Sequence, residues 1–164
     1  MLDPQFSCVG AKAALNSGQY LLGAYGSMTD SASLAGLARD LYLFTQEQTR
    51  VGSDFTTFAA CFSGQTAADE QEFEAHLWDV LQSLYDVDRL YNLPDAGVAE
   101  DPAAENFGFR LAGRGFFVIG LHPASSRLAR QFPWPTPVFN THYQFDHLKA
   151  DGRSGKMQAA IRAR

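Results

Sequence analysis

The sequence predicts an α+β domain in which an antiparallel sheet packs against helices on one side. Three observations carry that expectation: two long segments with apolar residues at three- and four-residue spacing, several short apolar runs rich in Phe, Val and Thr, and a glycine-centred hairpin signal between two of those runs. At 164 residues, 46% hydrophobic and 19% charged, the chain suits one globular domain spanning residues 1–164, with no repeat or low-complexity linker to divide it. Aromatic residues make up 13%, led by 13 Phe, which serves either a thick core or a large apolar pocket.

"CVGAKAALNSGQY", from Cys8, reads as a short amphipathic helix closed by Asn16, Ser17 and Gly18. An extended piece follows at Tyr20 to Tyr25. "TDSASLAGLARDLYLFTQEQT" sets Leu34, Leu37, Leu41 and Phe44 on one face, with Asp30 or Ser31 placed to cap a helix. "FTTFAACF" is short, apolar and rich in Phe and Thr, as in a buried strand. In "TAADEQEFEAHLWDVLQSLYDVDRLY", Phe73, Leu77, Trp78, Leu81, Leu84 and Tyr85 form one apolar face, and acids from Asp69 to Glu74 enrich the N-terminal end, where the helix dipole favours them. Pro94, Gly97 and Pro102 then mark a loop, and "NFGFRLAGRGFFVIGL" gives two strands around Ala112-Gly113-Arg114-Gly115.

Composition limits the function. A formal charge of −5 argues against a general phosphate-backbone binder, so no nucleic-acid role is expected. No run approaches the roughly 20 apolar residues of a membrane helix, and "MLDPQFSCVG" has neither the basic nor the apolar region of a signal peptide. A cytoplasmic protein without membrane association is the resulting expectation. Cys8 and Cys61 are widely spaced and form no CxxC pair, which speaks against zinc and against a disulfide in a reducing compartment.

The chemistry-bearing residues concentrate in "GLHPASSRLARQFPWPTPVFNTHYQF", Gly120 to Phe145, between one apolar strand and another at Pro137-Val138-Phe139. His122 stands at a strand exit beside Pro123. Ser125 or Ser126 can cap a short helix carrying Arg127 and Arg130 on one face, and free N–H groups, hydroxyls and guanidinium forks together suit a carboxylate or phosphate. The competing reading is a capped surface helix with two solvated arginines. His122 is a candidate metal or haem ligand or a residue that hydrogen-bonds its turn. Alternation places Asn140 and His142 on one strand face, while His76 and His147 fall on helices without a partner pattern. No HxH, HExxH or two-His-carboxylate spacing supports a non-haem metal site.

The run from Phe116 to Arg153, with its string HPxSSRxxRxFxxPxxVFNxHxQF, joins "CVGAKAAL", "DEQEFEAHLWDVLQSL" and "MQAAIRAR" in an order that resembles the YqcI/YcgG family over nearly the whole chain. The resemblance implies a haem-dependent N-oxygenase, a monooxygenase that hydroxylates the guanidine or amine nitrogen of an amino acid such as arginine or lysine in natural-product biosynthesis. It implies haem b as cofactor, His122 or His142 as iron ligand, Arg127 and Arg130 as clamps for propionates or a substrate carboxylate, and Ser126 and Asn140 beside them. Asp86, Asp88 and Asp101 are candidates, on charge alone, for holding a substrate cation.

Two departures bear on the ligand. The family commonly has Phe-Pro-Cys where this chain has Phe6-Ser7-Cys8, and commonly has His where it has Tyr85, so Cys8 and Tyr85 join the cofactor-binding candidates behind His122 and His142. Members also usually extend beyond the Ile161-Arg162 region, so the resemblance implies either a shortened member or a truncated chain, part of whose pocket a partner chain, such as a second copy in a homodimer, would supply. The alternative to an enzyme is a non-catalytic haem- or small-molecule-binding protein of the same fold.

Overall fold

The computed structural model describes residues 20–51, 56–92 and 107–142, together with Asn16 and Gly18. Among the described residues, five strands and two helices follow in the order β1 (Tyr20–Tyr25), α1 (Ser31–Val51), β2 (Thr57–Phe62), α2 (Glu70–Asp88), β3 (Phe109–Leu111), β4 (Arg114–Leu121) and β5 (Thr136–Thr141), with a 3-10 turn at Leu128–Arg130 before β5. The α+β expectation holds. One sheet carries all five strands in the order β1-β2-β5-β4-β3.

The sheet is mixed rather than purely antiparallel, because β1 pairs parallel with β2 from Tyr20↔Thr57 to Tyr25↔Phe62. The connection permits it: parallel neighbours need a crossover long enough to return to the starting end of the sheet, and α1 between β1 and β2 supplies one. The other pairings, β2 with β5, β5 with β4 and β4 with β3, are antiparallel.

Local signals explain the elements. Asp30 accepts the backbone N–H of Ser33 at 2.8 Å and so caps α1, whose Leu37, Leu41 and Phe44 are fully buried. Asp69 does the same for α2 by accepting the Glu72 N–H at 2.9 Å, and Glu70 and Glu72 place negative charge in the first turn. The β3–β4 hairpin turns on Ala112 and Gly113 alone, both at positive φ (53° and 70°), the primed geometry that matches strand twist. Asp88, buried at the end of α2, accepts the Ala112 N–H at 2.7 Å and an Asn92 side-chain N–H at 2.7 Å, fastening the helix to that turn.

Both helices cover one face of the sheet. Leu37, Leu41 and Phe44 of α1 and Phe73, Val80, Leu81 and Leu84 of α2 share a core with Phe58, Ala60, Phe62, Phe109, Leu111, Phe116 and Phe139. Each such side chain contributes about 1.5–3 kcal/mol by leaving water. Alternate strand positions look the other way, and Tyr20, Leu22 and Phe117 are exposed there. Gly18, at φ +67°, suits the expected close of a helix at Asn16 to Gly18, whereas the rest of that segment, like the loop around Pro94 to Pro102, lies outside the described residues. Among the described residues no helix is long and apolar enough to cross a membrane.

Candidate binding cleft

A cleft of about 570 Å³ opens where α2 passes over β4 and the segment that follows it. Its size falls within the usual range for small-molecule and cofactor sites, roughly 300–1,000 Å³. Phe73, Leu77 and Leu81 of α2 and Phe116, Val118 and Gly120 of β4 line its apolar part, with Trp78 and Phe107 as an aromatic wall whose ring centroids are 6.1 Å apart. His122, Ser125, Ser126, Arg127, Arg130, Glu70 and Glu74 line the rest. An apolar slot therefore ends in a charged rim that bears both signs.

The rim is built on a closed loop. His122 leaves β4 with its N–H bonded to the Arg130 carbonyl at 3.1 Å, and its own carbonyl accepts from Ser125 and Phe132, each at 3.3 Å. Gln131 ties the interior by donating to the Ser125 carbonyl at 2.9 Å. These bonds bring residues 122 and 130–132 together, so that Arg127 and Arg130 lie on the span between. Neither arginine has an ion-pair partner among the described residues, and both are exposed on the cleft side.

The expected serine-capped helix is not what forms. Only Leu128–Arg130 is helical, as a 3-10 turn led by Arg127 without a side-chain cap. Two causes act together. The prolines at 133, 135 and 137 prevent a longer helix, and the serines are engaged elsewhere. Glu70 Oε1 accepts the Ser126 N–H at 2.9 Å and the hydroxyls of Ser126 and Ser125 at 3.0 and 3.2 Å, while Oε2 lies 3.1 Å from the Ser126 hydroxyl. The donors expected to meet a bound anion thus meet an internal carboxylate. The Ser126 backbone bond, then the Ser126 hydroxyl, hold the Glu70 carboxyl below its ordinary pKa.

His122 is 3% exposed and stacks on Phe73, with centroids 4.7 Å apart and planes 17° from parallel. Its Nε2 lies 4.0 Å from Glu70 Oε1, and its Nδ1 is buried without a hydrogen-bond partner among the described residues. A buried polar atom left unpaired costs about 1–3 kcal/mol. The ring that carries this atom lines the cleft.

The other expected site residues are placed apart from it. His142 stacks on Phe117 at 3.8 Å, on the sheet face that Asn140 shares, and neither His142 nor Asn140 lines the cleft. Asn140 is a cross-strand clamp, accepting the Thr57 hydroxyl at 2.8 Å. Tyr85 packs against the core, 15 residues beyond Glu70 on α2, or about 22 Å along the axis, and is absent from the lining. Asp86 pairs with Arg89 at 3.7 Å and Asp88 is committed to the hairpin, so neither faces the cleft. Cys8, Asp101 and His147 lie outside the described residues. The acids that do line it, Glu70 and Glu74, read in the sequence only as dipole partners of a helix start.

A histidine, two arginines without an ion-pair partner among the described residues and an aromatic slot converge on one cleft of this α+β domain. The chain belongs to the YqcI/YcgG family, whose sequence model matches residues 1–164. No curated protein and no solved structure matches it.

Removing either guanidinium tests the rim. Arg127→Ala and Arg130→Ala are each expected to weaken binding of an anionic ligand by about 1–3 kcal/mol with the unfolding midpoint unchanged, the range for charge-assisted hydrogen bonds. Titration calorimetry or spectroscopic titration reads the affinity, and unaltered binding in both variants returns the pair to solvated surface charges.

Proposed function

We propose that the protein is a haem-dependent N-oxygenase that hydroxylates the amine or guanidine nitrogen of an amino acid such as arginine or lysine. The observation that carries the reading is the buried imidazole of His122, which lines the cleft and whose Nδ1 has no hydrogen-bond partner among the described residues, in a chain that belongs to the YqcI/YcgG family. Haem b asks for an imidazole, an apolar slot and cations for its propionates. His122 would serve as ligand, Phe73, Leu77, Phe107, Phe116 and Trp78 as the walls, and Arg127 and Arg130 as partners for propionate or substrate carboxylate. These residue types fit the group.

Bound haem would supply the activation of oxygen. The chain's own part is to exclude water with the aromatic walls, to orient the imidazole through the Phe73 stack, and to hold a carboxylate against the two arginines. Glu74 is the lining carboxylate not tied to the serine loop, which makes it the residue suited to a substrate cation.

Titration with haemin tests the reading directly. A sharp Soret band that saturates at one equivalent is expected. Weak uptake with the broad spectrum of nonspecific association removes the oxygenase and also the alternative of a haem-binding protein without catalysis. A saturating site that shows no turnover with arginine, lysine or related amino acids, under reductant and oxygen, selects that alternative.

A further inference from the structure

We propose that Glu70 is a positioning residue for His122, holding the imidazole with its proton on Nε2 and leaving the Nδ1 lone pair as the atom offered to a ligand. The last clause rests on the ligand role given to His122 above; the positioning itself rests on the geometry of the ligand-free protein.

Four contacts from Ser125 and Ser126 fix the Glu70 carboxylate, so it is a stationary negative charge rather than a swinging surface side chain. The imidazole beside it is equally confined. Its ring is clamped against Phe73, which belongs to the same first turn of α2, three residues after Glu70, and its backbone is bonded to Arg130 and Phe132. Of the two ring nitrogens, Nε2 is the one that looks toward the carboxylate, at 4.0 Å. That separation exceeds a hydrogen bond, yet the field of a carboxylate at this range favours an N–H dipole pointing toward it and disfavours a lone pair there. A proton on Nδ1 would instead be buried with no acceptor.

Both effects select the same tautomer. The hydrogen bonds from Ser125 and Ser126 hold the carboxylate in place beside the imidazole. An outer carboxylate that fixes which histidine nitrogen is protonated is a general device for setting ligand orientation and basicity. Here the first turn of α2 supplies both the carboxylate and the aromatic clamp, while the β4–β5 connection supplies the histidine.

The test uses ¹⁵N-labelled full-length protein without ligand, at a pH above the ordinary histidine range, with the His122 ring identified by its loss in His122→Gln. Long-range ¹H–¹⁵N spectra should show a pyrrole-type Nε2 and a pyridine-type Nδ1. Glu70→Ala should convert this to a mixture of tautomers while amide signals away from residues 122–130 keep their positions. Glu70→Gln, which retains the shape but not the charge and serves should the alanine variant fail to fold, should give a smaller change in the same direction. Haemin affinity is expected to fall about tenfold in Glu70→Ala, the range for losing an outer-shell partner. A wild-type ring protonated on Nδ1, or an Nε2–H pattern unaltered in both variants, overturns the assignment. If the tautomer follows Glu70 in a protein that takes up no haemin, the positioning role stands and the haem reading falls; if haemin binds through His122 while the tautomer ignores Glu70, the reverse holds.

Discussion

Replacing His122 with alanine is expected to abolish the sharp Soret band of the haemin-loaded protein, whereas His142→Ala should leave the band in place and change affinity only. His122 lines the cleft and its Nδ1 has no hydrogen-bond partner among the described residues, whereas His142 does not line the cleft, although it stacks on Phe117, which does. The comparison is interpretable because the fold should tolerate the change. An aromatic pair such as His122 on Phe73 contributes about 0.5–1.5 kcal/mol beyond its buried area, a modest part of the roughly 5–15 kcal/mol that holds a domain together. His122→Gln, closer in volume, guards against collapse of the cleft. Should His142→Ala lose the band while His122→Ala keeps it, the order of the two histidines is inverted. Retention in both variants moves the ligand to Cys8, to Tyr85 or to a second chain.

Local chemistry in the sequence announced most of the scaffold. The four-residue spacing of Leu37 and Leu41, Asp30 as a cap of α1, the acids from Asp69 at the start of α2, and the glycine-bearing turn before Arg114 each act within a few residues, and each element forms where its signal stands. Pairings between distant segments carry no such local signature. Placing β5 between β2 and β4 depends on Phe139 meeting Phe58 on one side and Val118 on the other, across 81 and 21 residues. The parallel β1–β2 pair did have a signal, the helix between two strands, and it outranks the antiparallel expectation raised by the hairpin further on.

The site divides in the same manner. His122, Arg127 and Arg130 stand within nine residues, so a histidine at a strand exit and two cations on the following loop were legible as a cluster, and all three line the cleft. Glu70 was not legible. An acidic residue at the start of a helix has a sufficient explanation in the dipole, and its serine partners lie 55 and 56 residues further along. Asn140 and His142 show the opposite error. Strand alternation put them on one face, but β5 ends at Thr141, before His142, and the cleft belongs to the edge where α2 crosses β4, which alternation does not specify.

Gly120→Ala is expected to lower stability by about 1–3 kcal/mol and to disturb the His122 ring at the same time. Gly120 lies on β4 at its closest approach to α2. A Cβ there would run into the Phe73 ring and come within 3.3 Å of the Leu77 side chain. Phe73 cannot simply yield, because it is 5% exposed and its other neighbour is the imidazole of His122. Either α2 lifts from the sheet, which removes apolar contact along the core, or Phe73 turns and breaks the stack that orients His122. For a chain of this length each kcal/mol corresponds to roughly 2–4 °C in melting temperature, so calorimetry resolves the effect. Adding Phe73→Leu supplies the space that the new methyl group needs. The double variant should therefore lose less stability than the sum of its parts, a coupling of about 0.5–3 kcal/mol, while its His122 ring signals stay displaced because the stacking partner is gone. Strict additivity, or a Gly120→Ala midpoint equal to that of the wild type, would mean that β4 and α2 are not held apart by this contact, and that something other than the Phe73 ring sets the orientation of His122.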